Sequence, residues 1–283
     1  MEGIRVPCPA KINLSLDVVG KRSDGYHLLR MLMQSVALFD YVTVEKIQEG
    51  IDLTCSRPDI SCDKSNTAYK MAALVLHKYN LDCGVRIHIE KNIPSGAGLA
   101  GGSADAAGVI KAMNVLYSLS MSLGEMLELG LRVGADVPYC IMGGTVLAEG
   151  IGEKLTPLKP LKNTWCVIAK PHFSISTKEA YEALRLDSIR RHPATERLIS
   201  CIEAGDIKKL ASGMINVLED ACITSYPDIY EIKRLMQNQG AMGSMMTGSG
   251  SAVFGLFGSR SEGERCCTSL NGRVENAFLV QTC

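Results

Sequence analysis

The sequence predicts a mixed α/β or α+β protein, in two domains or one large one, and three observations carry that expectation. The chain has 283 residues, about twice an ordinary domain of ~100–200 residues. Segments that alternate apolar and polar residues and segments with a 3.6-residue apolar period both occur in each half of the chain, which mixes strands with helices throughout. Pro157 and Pro160, set among lysines and polar residues, interrupt the pattern near the middle. They place the boundary between domains 1–158 and 159–283.

The elements follow in order. Up to residue 46, short apolar runs (INLSLDVVG, MLMQSVALFDYVTVEK) separated by SDGYH read as strands and a loop. Residues 66–80 place Ala68, Met71, Ala72, Val75, Leu76 and Tyr79 at helical spacing, with Ser65 or Asn66 as cap. VRIHIE at 85–90 alternates strictly, so one face is buried. The glycine-rich PSGAGLAGGS follows, and then a helix capped near Ser103 with Ala106, Val109, Ile110, Met113 and Leu116 on one side. A helix over 122–134 leads to GADVP, read as a turn, and TVLAEGIGEKLTPL reads as a hairpin. Beyond the prolines come the strand WCVIAKP, amphipathic helices between 177 and 239, the strand–turn–strand SMMTGSGSAVFGLF, a helix and the closing strand AFLVQ.

Thirty basic and thirty acidic side chains cancel. A bulk positive field of the kind that gathers polyanions is absent, which disfavours nucleic acid and anionic membranes as partners. Eleven cysteines form no CxxC pair, and several lie in apolar runs where a thiol acts as a small hydrophobe, so a reducing, cytoplasmic setting is expected. No run of ~18 apolar residues predicts a membrane span.

Gly96-Ala-Gly98-Leu-Ala-Gly101 satisfies G-x-G-x-x-G. A dinucleotide fold would need a buried strand running straight into the loop and an acidic residue ~20 positions on. Here the strand is half polar and Lys91–Pro94 intervenes. Walker A fails because Gly102 stands where its lysine belongs. Two readings remain, a tight strand-to-helix turn and an anion cradle made of turned-in N–H groups and a helix N-terminus. Lys11 and Asn13, two apart in an apolar strand-like run, share a face. By spacing alone that face is more readily the wet one, because lysine is rarely buried unpaired. Asp136 in GADVP suits a turn or N-cap as well as a general base, and Thr247–Ser251 suits a hairpin connection.

Taken together, PAKINLSLDV, PSGAGLAGGSADAA, GADVP and MTGSGSAVFGLF resemble the motifs of the GHMP kinases, in the same order along the whole chain. PAKINLSLDVVGKRSDGYHLL is similar to the branch that phosphorylates the 2-hydroxyl of a small substrate carrying a cytidine diphosphate group, in the non-mevalonate route to isoprenoids. The resemblance implies the two-domain GHMP kinase fold, with a ribosomal protein S5 domain 2-like N-terminal domain, a ferredoxin-like C-terminal domain and a cleft between them. It implies ATP as phosphoryl donor, with Mg²⁺, and a monomer or homodimer. It also implies that Pro94, Ser95, Gly96, Ala97, Gly98, Leu99, Ala100, Gly101, Gly102, Ser103 and Ala104 wrap the phosphates, with Asn66 and Lys91 near the adenosine. Lys11 and Asp136 match the catalytic pair. Asn13, Tyr26, His27, Asp136 and Thr177 match substrate contacts, with Tyr181 opposite Tyr26 across the cytosine. No protein ligand of the metal is assigned. The chain departs from the family's usual GLGGGSSDAA at Ala100, which needs an ordinary backbone conformation there to escape strain, and at Ala104, which lacks a phosphate-binding hydroxyl.

Overall fold

The protein is described from a computed structural model covering residues 3–283. Two compact units result from the packing, and neither is a continuous stretch of chain. Unit 1 takes the residues up to Ala10, Leu38–Ser95 and Ala100–Gly143; unit 2 takes Lys11–Ala37, Gly96–Leu99 and Gly144–Cys283. The expected division at residue 158 follows chain order, whereas these units follow packing. The difference arises because the first two strands and the glycine loop each pass from one unit into the other.

Those strands are β1 (Ile4–Lys21) and β2 (His27–Ile47), which pair with each other. They are longer than the short strands expected, and their burial shows why the pattern was hard to read. From Ala10 to Val18 every residue of β1 is buried, so no alternation of burial marks the strand.

In unit 1, β3 (Ile51–Cys55) lies parallel to β4 (Gly84–Glu90), and β4 is antiparallel to the end of β2 in the register Tyr41 to Glu90. Val85, Ile87 and Ile89 of β4 point into the core, as their alternation predicts. Helix α1 (Thr67–Lys78) starts at Asn66, whose side chain accepts the Ala68 N–H at 2.8 Å. Helix α2 (Gly101–Leu116) buries Ala106, Val109, Ile110 and Met113, the predicted stripe. It begins two residues before the expected Ser103 cap and has no side-chain cap at all. Helix α3 (Leu123–Val133) follows, and then a short helix α4 (Val137–Met142), with Asp136 at its N-cap position, one of the two places the local sequence offers that residue.

In unit 2, β2 continues into an antiparallel pairing with β5 (Thr145–Gly150), which forms the expected hairpin with β6 (Lys154–Pro157). The second sheet is built from β7 (Trp165–Lys170), β8 (Gly243–Met246), β9 (Val253–Phe257) and β10 (Asn276–Gln281). Its order is β10-β7-β9-β8, antiparallel throughout. With helices between β7 and β8 and between β9 and β10, that is the ferredoxin-like arrangement. The connecting helices are α5 (Thr177–Ala183), α6 (Thr195–Ala204), α7 (Ile207–Gly213), α8 (Val217–Ile223), α9 (Asp228–Asn238) and α10 (Arg260–Leu270). Every residue of β9 is buried, with Phe254 and Phe257 at the centre of this core. Among the described residues no helix is long and apolar enough to cross a membrane.

Candidate active site

Lys11 and Asn13 sit at the middle of β1, where both are buried: Lys11 is 4% exposed and Asn13 is not exposed. The wet-face expectation is therefore overturned. A buried ammonium needs a hydrogen-bonded partner, and Lys11 Nζ donates to Asn13 Oδ1 at 2.7 Å. The strand itself is tied to two distant segments of the same unit. Lys11 N–H donates to the Leu99 carbonyl at 3.1 Å, and Asn13 N–H donates to Thr247 Oγ1 at 3.0 Å.

The loop segment 96–99 rests on the turn between β8 and β9. Gly98 has φ +74°, and a Cβ there would overlap the Thr247 carbonyl oxygen. A Cβ added at Gly248, which has φ +56°, would lie 3.0 Å from the Gly98 carbonyl oxygen and 3.2 Å from Lys11 Nζ, tighter than ordinary contact. Ala252 N–H donates to the Ala97 carbonyl at 3.2 Å. Ala97 and Leu99 are buried, which anchors the loop. Three motifs more than 80 positions apart in sequence thus meet in unit 2, and glycine is required where they touch.

The two flanks of the loop belong to unit 1. Ala100 has φ 58° and ψ 31°, the left-handed region, so it does not have the ordinary backbone its side chain prefers. With no side chain capping α2, the first N–H groups of that 16-residue helix have no side-chain acceptor. This is the arrangement a phosphate fits.

Beneath it lies a buried charge cluster that the sequence reading did not find. Lys91 Nζ pairs with Asp40 and, at 2.8 Å, with Asp105, and all three side chains are at most 5% exposed. Asp40 Oδ1 also accepts the N–H groups of Asn92 and Ile93 at 2.6 and 2.8 Å. Burial pushes the Asp105 carboxyl up to about 7; Lys91 pulls it back and Asp40 pushes it further up. Its Oδ1 is buried with no hydrogen-bond partner. The available signal was a carboxylate inside an apolar run, at Asp40 and again at Asp105, since such a group has to be paired. Lys91, expected near adenosine, commits its ammonium to this cluster. Asn66 uses its Oδ1 as the α1 cap and its Nδ2 on the Ser61 carbonyl at 2.7 Å, and its neighbour Thr67 donates from Oγ1 to the Gly102 carbonyl at 2.6 Å.

Asp136 stands at the N-cap position of α4, yet its side chain makes no cap hydrogen bond. Its carboxylate is therefore not spent on the capping role that local sequence suggested. In unit 2, His27 stacks on Tyr181, with ring centroids 5.0 Å apart and planes at 21°. Burial, with help from Lys21, lowers the His27 pKa from its ordinary value, which favours the neutral ring. Tyr26 is 61% exposed. Thr177 Oγ1 lies 3.2 Å from Ser249 Oγ in the third motif.

Two family profiles match the chain: the GHMP kinases N terminal domain over residues 66–144 and the GHMP kinases C terminal domain over 198–276. The chain is 49% identical over 273 residues, 96% of its length, to 4-diphosphocytidyl-2-C-methyl-D-erythritol kinase of Clostridium botulinum strain Alaska E43, covering 98% of that protein. A second relative of the same name, from strain Langeland, is 48% identical over equal shares. Among solved structures, a 4-(cytidine 5'-diphospho)-2C-methyl-D-erythritol kinase superposes with a TM-score of 0.86 at 33% identity, covering 99% of each chain. A homoserine kinase from Cytophaga hutchinsonii shares the fold, with a TM-score of 0.80 at 19% identity over 100% of this chain and 95% of that one. Motifs, fold and relatives agree, and the chain belongs to the 4-diphosphocytidyl-2-C-methyl-D-erythritol kinase family of the GHMP kinases.

Proposed function

We propose that the chain transfers the γ-phosphoryl group of ATP to the 2-hydroxyl of 4-diphosphocytidyl-2-C-methyl-D-erythritol, a step of the non-mevalonate route to isoprenoid precursors. The observation that carries this reading is the junction of the three motifs, where Gly98 lies on Thr247 and Gly248 lies beside Lys11 Nζ. Phosphoryl transfer asks little covalent chemistry of a protein; it needs an aligned nucleophile and positive charge around the moving group.

The uncapped start of α2 fits a triphosphate. Its free N–H groups and positive dipole end, together with the backbone of residues 94–104, hold the phosphates in place of a Walker lysine. Mg²⁺ accompanying ATP would supply charge neutralisation at the phosphates, with Ser103 the loop residue whose hydroxyl would help to hold it. Asp136 accepts the proton of the acceptor hydroxyl. Lys11, held in place by Asn13, neutralises charge developing on the transferred group. Tyr181 and His27 offer aromatic faces to the cytosine, and Tyr26, Asn13 and Thr177 complete the acceptor side.

The test is ADP release from ATP and Mg²⁺ with each acceptor in turn. Turnover is expected with the cytidine diphosphate substrate and not with homoserine or mevalonate; turnover only with one of the latter overturns the assignment. Asp136→Asn should lower kcat by ~10²–10⁴, the usual yield of general-base help, with ATP binding little changed.

A further inference from the structure

The segment that opens α8 holds two of the three motifs at once. The Ile215 carbonyl accepts the Leu16 N–H at 2.9 Å, so it grips β1 one turn of pleat beyond Asn13. The next residue, Asn216, is 4% exposed and uses its whole side chain. Its Nδ2 donates to the Met246 carbonyl at 2.9 Å and to the Gly248 carbonyl at 2.8 Å, while its Oδ1 accepts the Leu218 N–H at 3.1 Å. Glu219, one helical turn on, accepts the Met246 N–H at 2.6 Å and pairs with Lys233. The Gly248 turn so gripped is the one that packs against Gly98 and Lys11 Nζ.

We propose that Asn216 is a positioning residue for phosphoryl transfer. By bonding the carbonyls on either side of Thr247 it fixes the turn against which Lys11, Asn13 and the glycine loop are aligned. This deepens the reading of the site given above and rests on it. The cap and the two donor bonds are separable roles. Serine at position 216 keeps an oxygen for the Leu218 N–H, since it caps about as well as asparagine, but it is too short to reach the two carbonyls. A displacement of ~1 Å in a reacting geometry costs up to ~10²-fold in rate.

The experiment compares Asn216→Ser with Asp206→Ala, which removes the cap of α7 and its 3.0 Å bond from Lys209 N–H, far in role from the site. The measured quantities are Tm, kcat and KM for ATP. Asn216→Ser is expected to lower kcat by about 10–10²-fold with KM for ATP within ~3-fold, while Asp206→Ala shows a similar loss of Tm and unchanged kcat. Asn216→Thr, which also keeps a capping oxygen and is too short to reach the two carbonyls, should behave as Asn216→Ser does, and serves if the serine variant does not fold. Full kcat in a folded Asn216→Ser or Asn216→Thr overturns the proposal. Lys11→Met is run in parallel. If it is inactive while the Asn216 variants are fully active, the inference fails alone; if Lys11→Met keeps wild-type turnover, the reading of the site fails and the inference falls with it.

Discussion

Gly98 and Ala100 are two positions apart, both at positive φ, and they should respond in opposite directions to exchange of a methyl group. At Gly98, φ is +74°, so alanine there meets a left-handed strain of ~1–2 kcal/mol, offset by the ~0.5–1 kcal/mol that glycine loses in extra chain entropy. The backbone alone therefore costs about 1 kcal/mol. The larger effect is steric: the new methyl overlaps the Thr247 carbonyl and lies 3.2 Å from Gly250 N. Those are backbone atoms, which no rotamer change can move aside, and overpacking of this kind costs ~1–3 kcal/mol. The sum for Gly98→Ala is about 2–4 kcal/mol, or roughly 4–16 °C in Tm at ~2–4 °C per kcal/mol. Turnover should drop more than stability requires, because the turn displaced is the one beside Lys11. Ala100→Gly carries no overlap and relieves the strain at φ 58°, so it should be neutral or stabilising by up to about 1 kcal/mol. Thermal unfolding followed by circular dichroism, with kcat on the same samples, reads both. A Gly98→Ala protein as stable and active as wild type would refute the claim that this contact demands glycine.

Two other substitutions test the buried charges and the acceptor side. Asp105 has a folded-state pKa of about 7 against an ordinary value of 3.8. The native state thus binds its proton more tightly than the unfolded chain, and stability from this group is fully present below pH ~4 and lost as pH rises to ~7. Asp105→Asn should remove that slope, so the difference between variant and wild type in urea unfolding grows in the variant's favour from pH 5 to pH 8; parallel curves would refute it. Tyr181→Leu removes a stacking face worth ~1–3 kcal/mol per base, which predicts a 5- to 150-fold rise in KM for the cytidine substrate and an unchanged KM for ATP. Equal effects on both substrates would mean that Tyr181 shapes the fold rather than the acceptor site.

The elements most legible in the sequence are those whose apolar residues keep a clear period. The alternation of 85–90 and the helical spacing of 66–80 and 103–116 translate directly into β4, α1 and α2. β1 and β2 were readable as strands but not in length, because burial on both sides, over Ala10–Val18 of β1 and over residues 31–36 of β2, erases the alternation that measures a strand. Helix α4 hid behind Pro138, which reads as a turn residue yet is tolerated in a helix's first turn. Spacing placed Lys11 and Asn13 on one face but could not say which face is buried, since that depends on Thr247, 234 positions away. The same limit hid the Lys91 cluster: a carboxylate in an apolar run signals that Asp40 needs a partner, but that partner lies 51 positions on, and nothing local says which residue it is. The glycine loop was legible as a tight turn opening a helix, while the need for glycine at 98 became visible only with the turn it touches.

That long reach has a consequence for how the protein is made. Asn13 and Thr247 are hydrogen-bonded across 234 positions, and the terminal Cys283 N–H bonds the Ser35 carbonyl. At a synthesis rate of ~5–20 residues per second, some 12–47 s pass between the appearance of β1 and that of the turn that completes its surroundings. Through that interval the apolar run of β1 waits without the residues that will hold it, and the segment 96–99 does so for the later part of it, so this junction is among the last parts of the chain to form. A nascent chain arrested before residue 247 should hold its glycine loop open to proteases that the finished protein resists.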